Sequence, residues 1–339
     1  MHVVFWTTDD CNLNCSYCYN RIGNNIQKHY MSNETADAAI DLLTKQASWD
    51  PSKEIAVHFH GGEPLLNCGV IEHIMERFEA LVPRENLRYG MTTNGTLYDD
   101  RRKKIIDKID ELSVSLDGKA EIHDLNRKFL NGSGSFELVI RNAKDIRQRN
   151  DFRLRMTVTH DTIKYLYDTV CFLIEEGFRR IIPVLDMYDS HWEDSDEPII
   201  FEQFGKIKKY IEDNEYGDVI ISYVTESEFT RKGECSGGVE SFHFLPDGKI
   251  YPCSMTVGDS EWVIGHTDTG LCNEKIEELQ RINNKETTSC SGCGMYRYCT
   301  SSRCKLINKK LTGDYYTASS IACLSSRLEY EFSRVNTYC

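Results

Sequence analysis

Near the start of the chain, at the end of a short apolar run, stands Cys11-Asn-Leu-Asn-Cys15-Ser-Tyr-Cys18. Three thiolates this close in one loop can ligate three irons of a cubane, leaving the fourth iron without a protein ligand and open to chemistry. The competing reading is a structural zinc site, which wants four ligands. No fourth Cys or His lies within the loop.

Seven more cysteines form a second pattern. Cys235 is followed by Gly248 and Cys253, and then come Cys290-x2-Cys293-x5-Cys299-x4-Cys304 and, after a gap, Cys323. By composition alone this segment reads equally as a pair of zinc ribbons. Cys68, Cys171, Cys272 and Cys339 have no pattern partner, and free thiols or small buried hydrophobes are the default for them.

The elements that must position the first loop alternate. Runs rich in β-branched and aromatic residues at 3–8, 54–60, 87–93, 111–116, 153–159 and 179–187 predict strands. Amphipathic stretches at 33–48, 70–81, 99–109, 136–149, 163–176 and 200–216 predict helices between and after them. Strand and helix in alternation predict an α/β fold with parallel strands and helical crossovers, with chemistry at the carboxyl ends of the strands. Polar motifs fall at those ends. His60-Gly61-Gly62-Glu63-Pro64 follows the second strand, Thr92-Thr93-Asn94-Gly95 the third, and Ser113-Val114-Ser115-Leu116-Asp117-Gly118 the fourth. Each is also an ordinary turn sequence.

The Cys-x3-Cys-x2-Cys loop with Tyr17 before its last cysteine, followed by Gly-Gly-Glu-Pro, resembles the signature of the radical S-adenosylmethionine (SAM) enzymes. The C-terminal pattern resembles the SPASM domain of radical SAM peptide maturases, with four residues rather than three between Cys299 and Cys304. Together the resemblances cover almost the whole chain. They imply a partial (β/α)6 TIM-like barrel over residues 1–220 and a small cysteine-rich SPASM domain over 221–339. They also imply SAM and three 4Fe-4S clusters: Cys11, Cys15 and Cys18 for the first; Cys290, Cys293, Cys299 and Cys323 for one auxiliary cluster; Cys235, Cys253 and Cys304 for the other. The last set either has one iron open to a substrate thiolate, a water, or a side chain such as Glu234 or Glu240, or has lost its cluster.

By the same likeness Gly61, Gly62, Glu63 and Pro64 hold the SAM amino group, Asn94 meets SAM, and Ser115 and Asp117 face its sugar or methionyl carboxylate. Arg127, in Ile122-His-Asp-Leu-Asn-Arg127, is a carboxylate partner for SAM or a surface arginine paired with Asp124. The implied activity is radical-based crosslinking of a ribosomally made peptide, first a cysteine thioether and otherwise a carbon–carbon or carbon–oxygen bond. A competitor is the anaerobic sulfatase-maturating enzyme, which makes formylglycine. In that group an aspartate base follows the equivalent of Cys253, where this chain has Ser254 and, five residues on, Asp259. An electron-transfer or metal-storage protein would have no use for Gly-Gly-Glu-Pro.

The net charge of -13 argues against a nucleic-acid or anionic-membrane surface. No run of about 18 apolar residues and no signal peptide occurs, so a cytoplasmic location is expected. The clustered cysteines, ten of the fourteen, then read as metal ligands rather than disulfides. The expected partners are a precursor peptide and a reductase such as flavodoxin or ferredoxin. With a strand beginning by Val3, peptide recognition is expected from the barrel and the C-terminal module, from a separate leader-binding protein, or without any leader. An acidic run, Asp186 to Pro198, is expected either as a solvated loop or as a grip for a basic peptide segment.

Overall fold

The computed structural model describes residues 1–21, 28–148, 152–225 and 230–335. Strands and helices alternate from the start: β1 (His2–Thr8), α1 (Asn33–Leu43), β2 (Ile55–Gly61), α2 (Cys68–Leu81), β3 (Leu87–Thr93), α3 (Asp100–Ile106), β4 (Glu111–Ser115). Two helices, α4 (Ala120–Asn126) and α5 (Phe136–Ile146), then precede β5 (Phe152–Val158), α6 (Leu166–Glu175), β6 (Arg180–Leu185), α7 (Asp196–Asp213) and β7 (Ile220–Ile221). The expected strands are present within a residue or two. The helices expected at 33–48, 99–109, 136–149 and 200–216 end earlier, at Leu43, Ile106, Ile146 and Asp213, and the last of them begins earlier, at Asp196; residue 149 and Cys339 lie outside the described residues.

Among the described residues the remainder holds four short strands, β8 (Ser241–Phe244), β9 (Lys249–Tyr251), β10 (Gly265–His266) and β11 (Gly270–Leu271), and four α-helices, α8 (Asn273–Asn283), α9 (Thr300–Arg303), α10 (Lys305–Thr312) and α11 (Ser320–Val335).

Two compact units result. The first comprises Met1–Asn14, Cys18–Ser113 and Ser236–Arg281; the second comprises Cys15–Tyr17, Val114–Cys235 and the chain from Ile282 onward. These units do not cut the chain at residue 220, because Ser241–Phe244 pairs in parallel with β1, His2 opposite Ser241 and Phe5 opposite Phe244.

In the first unit β1 also pairs in parallel with β2, and β2 with β3. The antiparallel β8–β9–β10–β11 ladder extends the sheet beyond β1. β1 from Val3 to Thr8 and β8 from Phe242 to Phe244 are buried throughout, and in the core the Phe5 and Phe244 rings stack at 5.5 Å and Phe5 meets Phe78 of α2 edge-on. Gly90 on β3 leaves room for the His58 ring opposite it; a Cβ there would lie 2.3 Å from that ring. In the second unit β5, β6 and β7 are parallel, with Leu154 opposite Ile181 and Ile181 opposite Ile221. All three of these residues are fully buried. Among the described residues no helix is long and apolar enough to cross a membrane.

Candidate functional site

The first cysteine sits in a turn that β1, β2 and β3 build together. After Thr8, the Asp10 amide donates to Thr8 Oγ1 (3.0 Å) and the Cys11 amide to Asp10 Oδ1 (2.8 Å). The Cys11 sulfur accepts two N–H groups, from the Leu13 amide at 3.4 Å and from Asn94 Nδ2 at 3.7 Å. Asn94 also donates to Asn12 Oδ1 (2.8 Å), and its own Oδ1 takes the Thr96 amide and hydroxyl. Donors aimed at a sulfur favour its thiolate form and are one of the means by which proteins set cluster potentials.

Gly61 and Gly62 are dictated by the same turn. Gly61 has φ +136°, and a Cβ on it would lie 2.1 Å from the Thr8 carbonyl oxygen; one on Gly62 would lie 2.1 Å from that of Asp10. The Gly62 and Glu63 amides donate to those two carbonyls, both at 2.9 Å. No side chain can be added without pushing the backbone beside Cys11 away.

Glu63 is 0% exposed. Its Oε1 takes the Leu65 amide (3.1 Å) and the Thr93 hydroxyl (2.8 Å), and its Oε2 takes the Asn94 amide (2.7 Å). Burial raises its carboxyl to about 7, against the lowering effect of these donors. Glu63 thereby pins the end of β3, and with it Asn94, to the Gly-Gly-Glu-Pro turn. Pro64 opens a 3-10 turn, and its carbonyl accepts the Thr7 hydroxyl at 3.2 Å.

The second unit holds Cys15 and Tyr17 together with Asp117 and Arg127. The Ser16 amide donates to the Asn126 carbonyl (3.0 Å), and the Tyr17 hydroxyl donates to Asp117 Oδ2. Arg127 Nε donates to the same carboxylate oxygen at 2.9 Å, its Nη1 lies 4.0 Å from the Cys15 sulfur, and its guanidinium stands 5.2 Å from the Tyr17 ring centroid. The other Asp117 oxygen takes the Thr157 amide (2.9 Å).

Asp117 is 2% exposed and Arg127 7%, so Arg127 is not a surface residue. Asp124 is engaged elsewhere, accepting the Ser135 and Phe136 amides at the start of α5. Burial alone would lower the Arg127 pKa, but Asp117, Tyr17 and Cys15 outweigh it and raise it. Burial, with Asp117 and Cys15 adding to it against Arg127, pushes the Tyr17 hydroxyl well above its usual range. Ser115, also buried, ends β4. The role of the Tyr17 hydroxyl was not legible from sequence, where only its aromatic ring fitted a pattern.

Of the SAM-facing residues expected, Gly61, Gly62, Glu63, Pro64 and Asn94 thus gather around Cys11 in the first unit. Ser115, Asp117 and Arg127 belong with Cys15 to the second. Cys18 is counted in the first.

Four of the C-terminal cysteines, all in the second unit, lie close enough to influence one another. Burial raises the Cys323 thiol, and Cys299, Cys290 and Cys293 raise it further, while Arg327 lowers it. The Cys290 amide donates to the Thr287 carbonyl (3.0 Å) and the Cys293 amide to that of Cys290 (3.1 Å). Cys235 and Cys304 belong to this unit and Cys253 to the other. None of the described cysteines is in a disulfide.

No three His, Cys, Asp or Glu side chains among the described residues converge on one point as a mononuclear ion requires. A cubane instead takes each thiolate on a different iron, and N–H donors at the Cys11 sulfur and a buried cation beside Cys15 suit an anionic cluster.

The acidic run after β6 is largely spent on the protein itself. Asp196, buried at the start of α7, accepts from the Glu193 amide (2.8 Å) and faces His160 Nδ1 (3.0 Å). Asp189 takes the His160 amide (2.8 Å), and Glu197 is held by both Nη atoms of Arg327.

Residues 7–173 match the family model described as the Radical SAM superfamily. A relative from Methanocaldococcus jannaschii, the protein MJ0907, is 35% identical over 53% of this chain, and the matched stretch covers 60% of its own length. The cysteine-type anaerobic sulfatase-maturating enzyme of Clostridium novyi is 27% identical over 96% of this chain and 92% of its own. Among solved structures, native anSMEcpe with bound AdoMet superimposes with a TM-score of 0.77 at 22% identity, covering 99% of this chain and 97% of the other. Streptococcus suis SuiB bound to the precursor peptide SuiA gives 0.68 at 16%, covering 95% and 75%. Both structures share the fold of this chain, and the family match spans the β–α repeats that carry Cys11, Gly61, Asn94 and Asp117, so residues 7–173 are a radical SAM domain and the protein is an enzyme.

Proposed function

We propose that this enzyme joins a cysteine sulfur of a peptide to a carbon of the same peptide, making a thioether. A 4Fe-4S cluster and SAM go with the family, and when bound they supply a 5'-deoxyadenosyl radical able to take a hydrogen from an unactivated carbon. Cys11, Cys15 and Cys18 would hold that cluster. Gly61, Gly62, Glu63, Pro64 and Asn94 would face the SAM amino group, and Ser115 and Asp117 its sugar or carboxylate. Arg127, committed to Asp117, would act by fixing Asp117 and neutralising Cys15.

In the C-terminal part, read as a SPASM module over 221–339, Cys290, Cys293, Cys299 and Cys323 would hold one auxiliary cluster. Cys235, Cys253 and Cys304 would hold another, with an iron left for the substrate thiolate. A thiol bound to iron gives up its proton. In the overall change the carbon gives a hydrogen atom to the adenosyl radical and the sulfur gives up a proton, the C–S bond forms, and one electron is left for an acceptor, the part assigned to the auxiliary clusters.

The observation that carries this reading over formylglycine formation is at residue 254. The position after Cys253 holds a serine, a poor base without an activating neighbour. The next carboxylate, Asp259, is exposed and caps the 3-10 turn Ser260–Trp262 by accepting the Glu261 amide at 3.1 Å. The likeness over nearly the whole length of the Clostridium novyi enzyme favours formylglycine as the second reading.

Anaerobic co-expression with a cysteine-bearing peptide encoded beside the gene, followed by intact mass and thiol alkylation, separates the two. Loss of a pair of hydrogens together with an alkylatable thiol supports the thioether. Loss of hydrogens with every thiol still free moves the reading to a carbon–carbon or carbon–oxygen bond, and an aldehyde establishes formylglycine.

A further inference from the structure

Lys305 stands out on physical grounds. It follows Cys304 at the start of α10 and is 1% exposed. A buried ammonium costs several kcal/mol unless it is paired with charge and fully hydrogen-bonded. Among the described residues Lys305 has no carboxylate partner: its Nζ donates to Thr287 Oγ1 (2.6 Å) and to the Ser302 carbonyl, both neutral. An ammonium carries three N–H donors, so charge and one donor remain uncompensated.

Both acceptors belong to cysteine-bearing turns. The Thr287 carbonyl receives the Cys290 amide at 3.0 Å, so Thr287 closes the turn that carries Cys290. Ser302 lies between Cys299 and Cys304, and its hydroxyl donates to the Cys299 carbonyl at 2.8 Å. The ammonium therefore ties two cysteine turns together at their bases. A neutral thiol would offer such a cation little; a thiolate on iron would offer it a counter-charge.

We propose that Lys305 is the buried counter-ion of the auxiliary clusters, compensating the thiolates of Cys290 and Cys304 and holding the reduction potentials of the clusters they ligate upward. This rests on the reading that these cysteines bind auxiliary iron–sulfur clusters, Cys290 in one set and Cys304 in the other. One-electron reduction adds a negative charge to a cluster, and a fixed cation nearby favours that form.

The test compares wild type, Lys305→Met and Lys305→Arg after anaerobic reconstitution with iron and sulfide, measuring iron per chain and the cluster midpoint potentials by EPR-monitored titration. In Lys305→Met the reduced-to-oxidised ratio of the auxiliary clusters at a fixed ambient potential is expected to fall at least about tenfold, about 59 mV for a one-electron couple, or the auxiliary iron to be lost. Lys305→Arg, which keeps the charge, is expected to retain the iron and stay within about twofold in that ratio. A fully loaded Lys305→Met with unchanged potentials overturns the inference alone, as does Lys305→Arg failing in the same way as Lys305→Met. Wild-type protein that takes up only one cubane overturns the auxiliary-cluster reading and the inference with it.

Discussion

Replacing Arg127 by methionine keeps much of its length and removes the cation from a carboxylate that is 2% exposed. Asp117 then loses the 2.9 Å bond from Nε and retains only the Thr157 amide and the Tyr17 hydroxyl. Breaking a buried ion pair by removing one partner costs about 3–5 kcal/mol. Two surviving donors place this case near the lower end, about 3 kcal/mol, or roughly a hundredfold in the population of the opened state. Asp117→Asn strands the guanidinium and should cost a similar amount. The double variant removes both charges and should cost only about 1–2 kcal/mol, the worth of the imperfect hydrogen bonds that remain. A coupling energy of about 4–5 kcal/mol follows. Native-state proteolysis under anaerobic conditions reads it, because cleavage follows the population of the opened unit. Arg127 Nη1 also lies 4.0 Å from the Cys15 sulfur, so Arg127→Met should bind iron less well at the first cluster even where it stays folded. Variants that all lie within about 0.5 kcal/mol of wild type, as for an exposed pair, would refute the claim that this pair organises the Cys15 loop.

Two further expectations concern single residues. Glu63, whose carboxyl burial raises to about 7, binds a proton in the folded state at pH values where the unfolded chain has released it. Its contribution to stability is full below the ordinary value of 4.5 and is lost as pH rises through about 7, roughly 3 kcal/mol in all. Glu63→Gln cannot titrate, so the gap in thermal midpoint between wild type and variant should narrow from about pH 5 to about pH 8; a gap independent of pH would show that the three donors keep the carboxylate ionised throughout. Ser254→Ala should leave thioether formation within about twofold, since no proton passes through that hydroxyl, and a loss of product formation would mean that residue 254 takes part in the chemistry.

What could be read from the sequence was the local chemistry and the repeat that carries it. Gly61 ends a strand, Asn94 follows one directly and Cys11 comes shortly after the end of β1, and strand ends are visible as apolar runs closed by turn residues. The contribution of residues 241–244 to the first unit's sheet was not visible, because a four-residue strand inside a cysteine-rich segment has too little periodicity to register. Side-chain partners far apart in sequence escaped as well. The pairing of Asp117 rather than Asp124 with Arg127 depends on where α4 places the arginine, and Glu197 meets Arg327 across 130 residues, so an acidic run that reads as a solvated loop is in fact partly neutralised. Lys305 gave no signal either: a lysine beside a cysteine is ordinary until its burial is known.

The most direct test of the central claim is to follow the hydrogen. With the peptide deuterated at the β-carbon of its cysteine, the 5'-deoxyadenosine formed by the reconstituted enzyme should carry no deuterium while the cysteine thiol is consumed, because a thioether maturase takes its hydrogen from another residue's carbon. Deuterium transferred from the cysteine β-carbon into 5'-deoxyadenosine would contradict the thioether account and point to oxidation of that carbon to formylglycine.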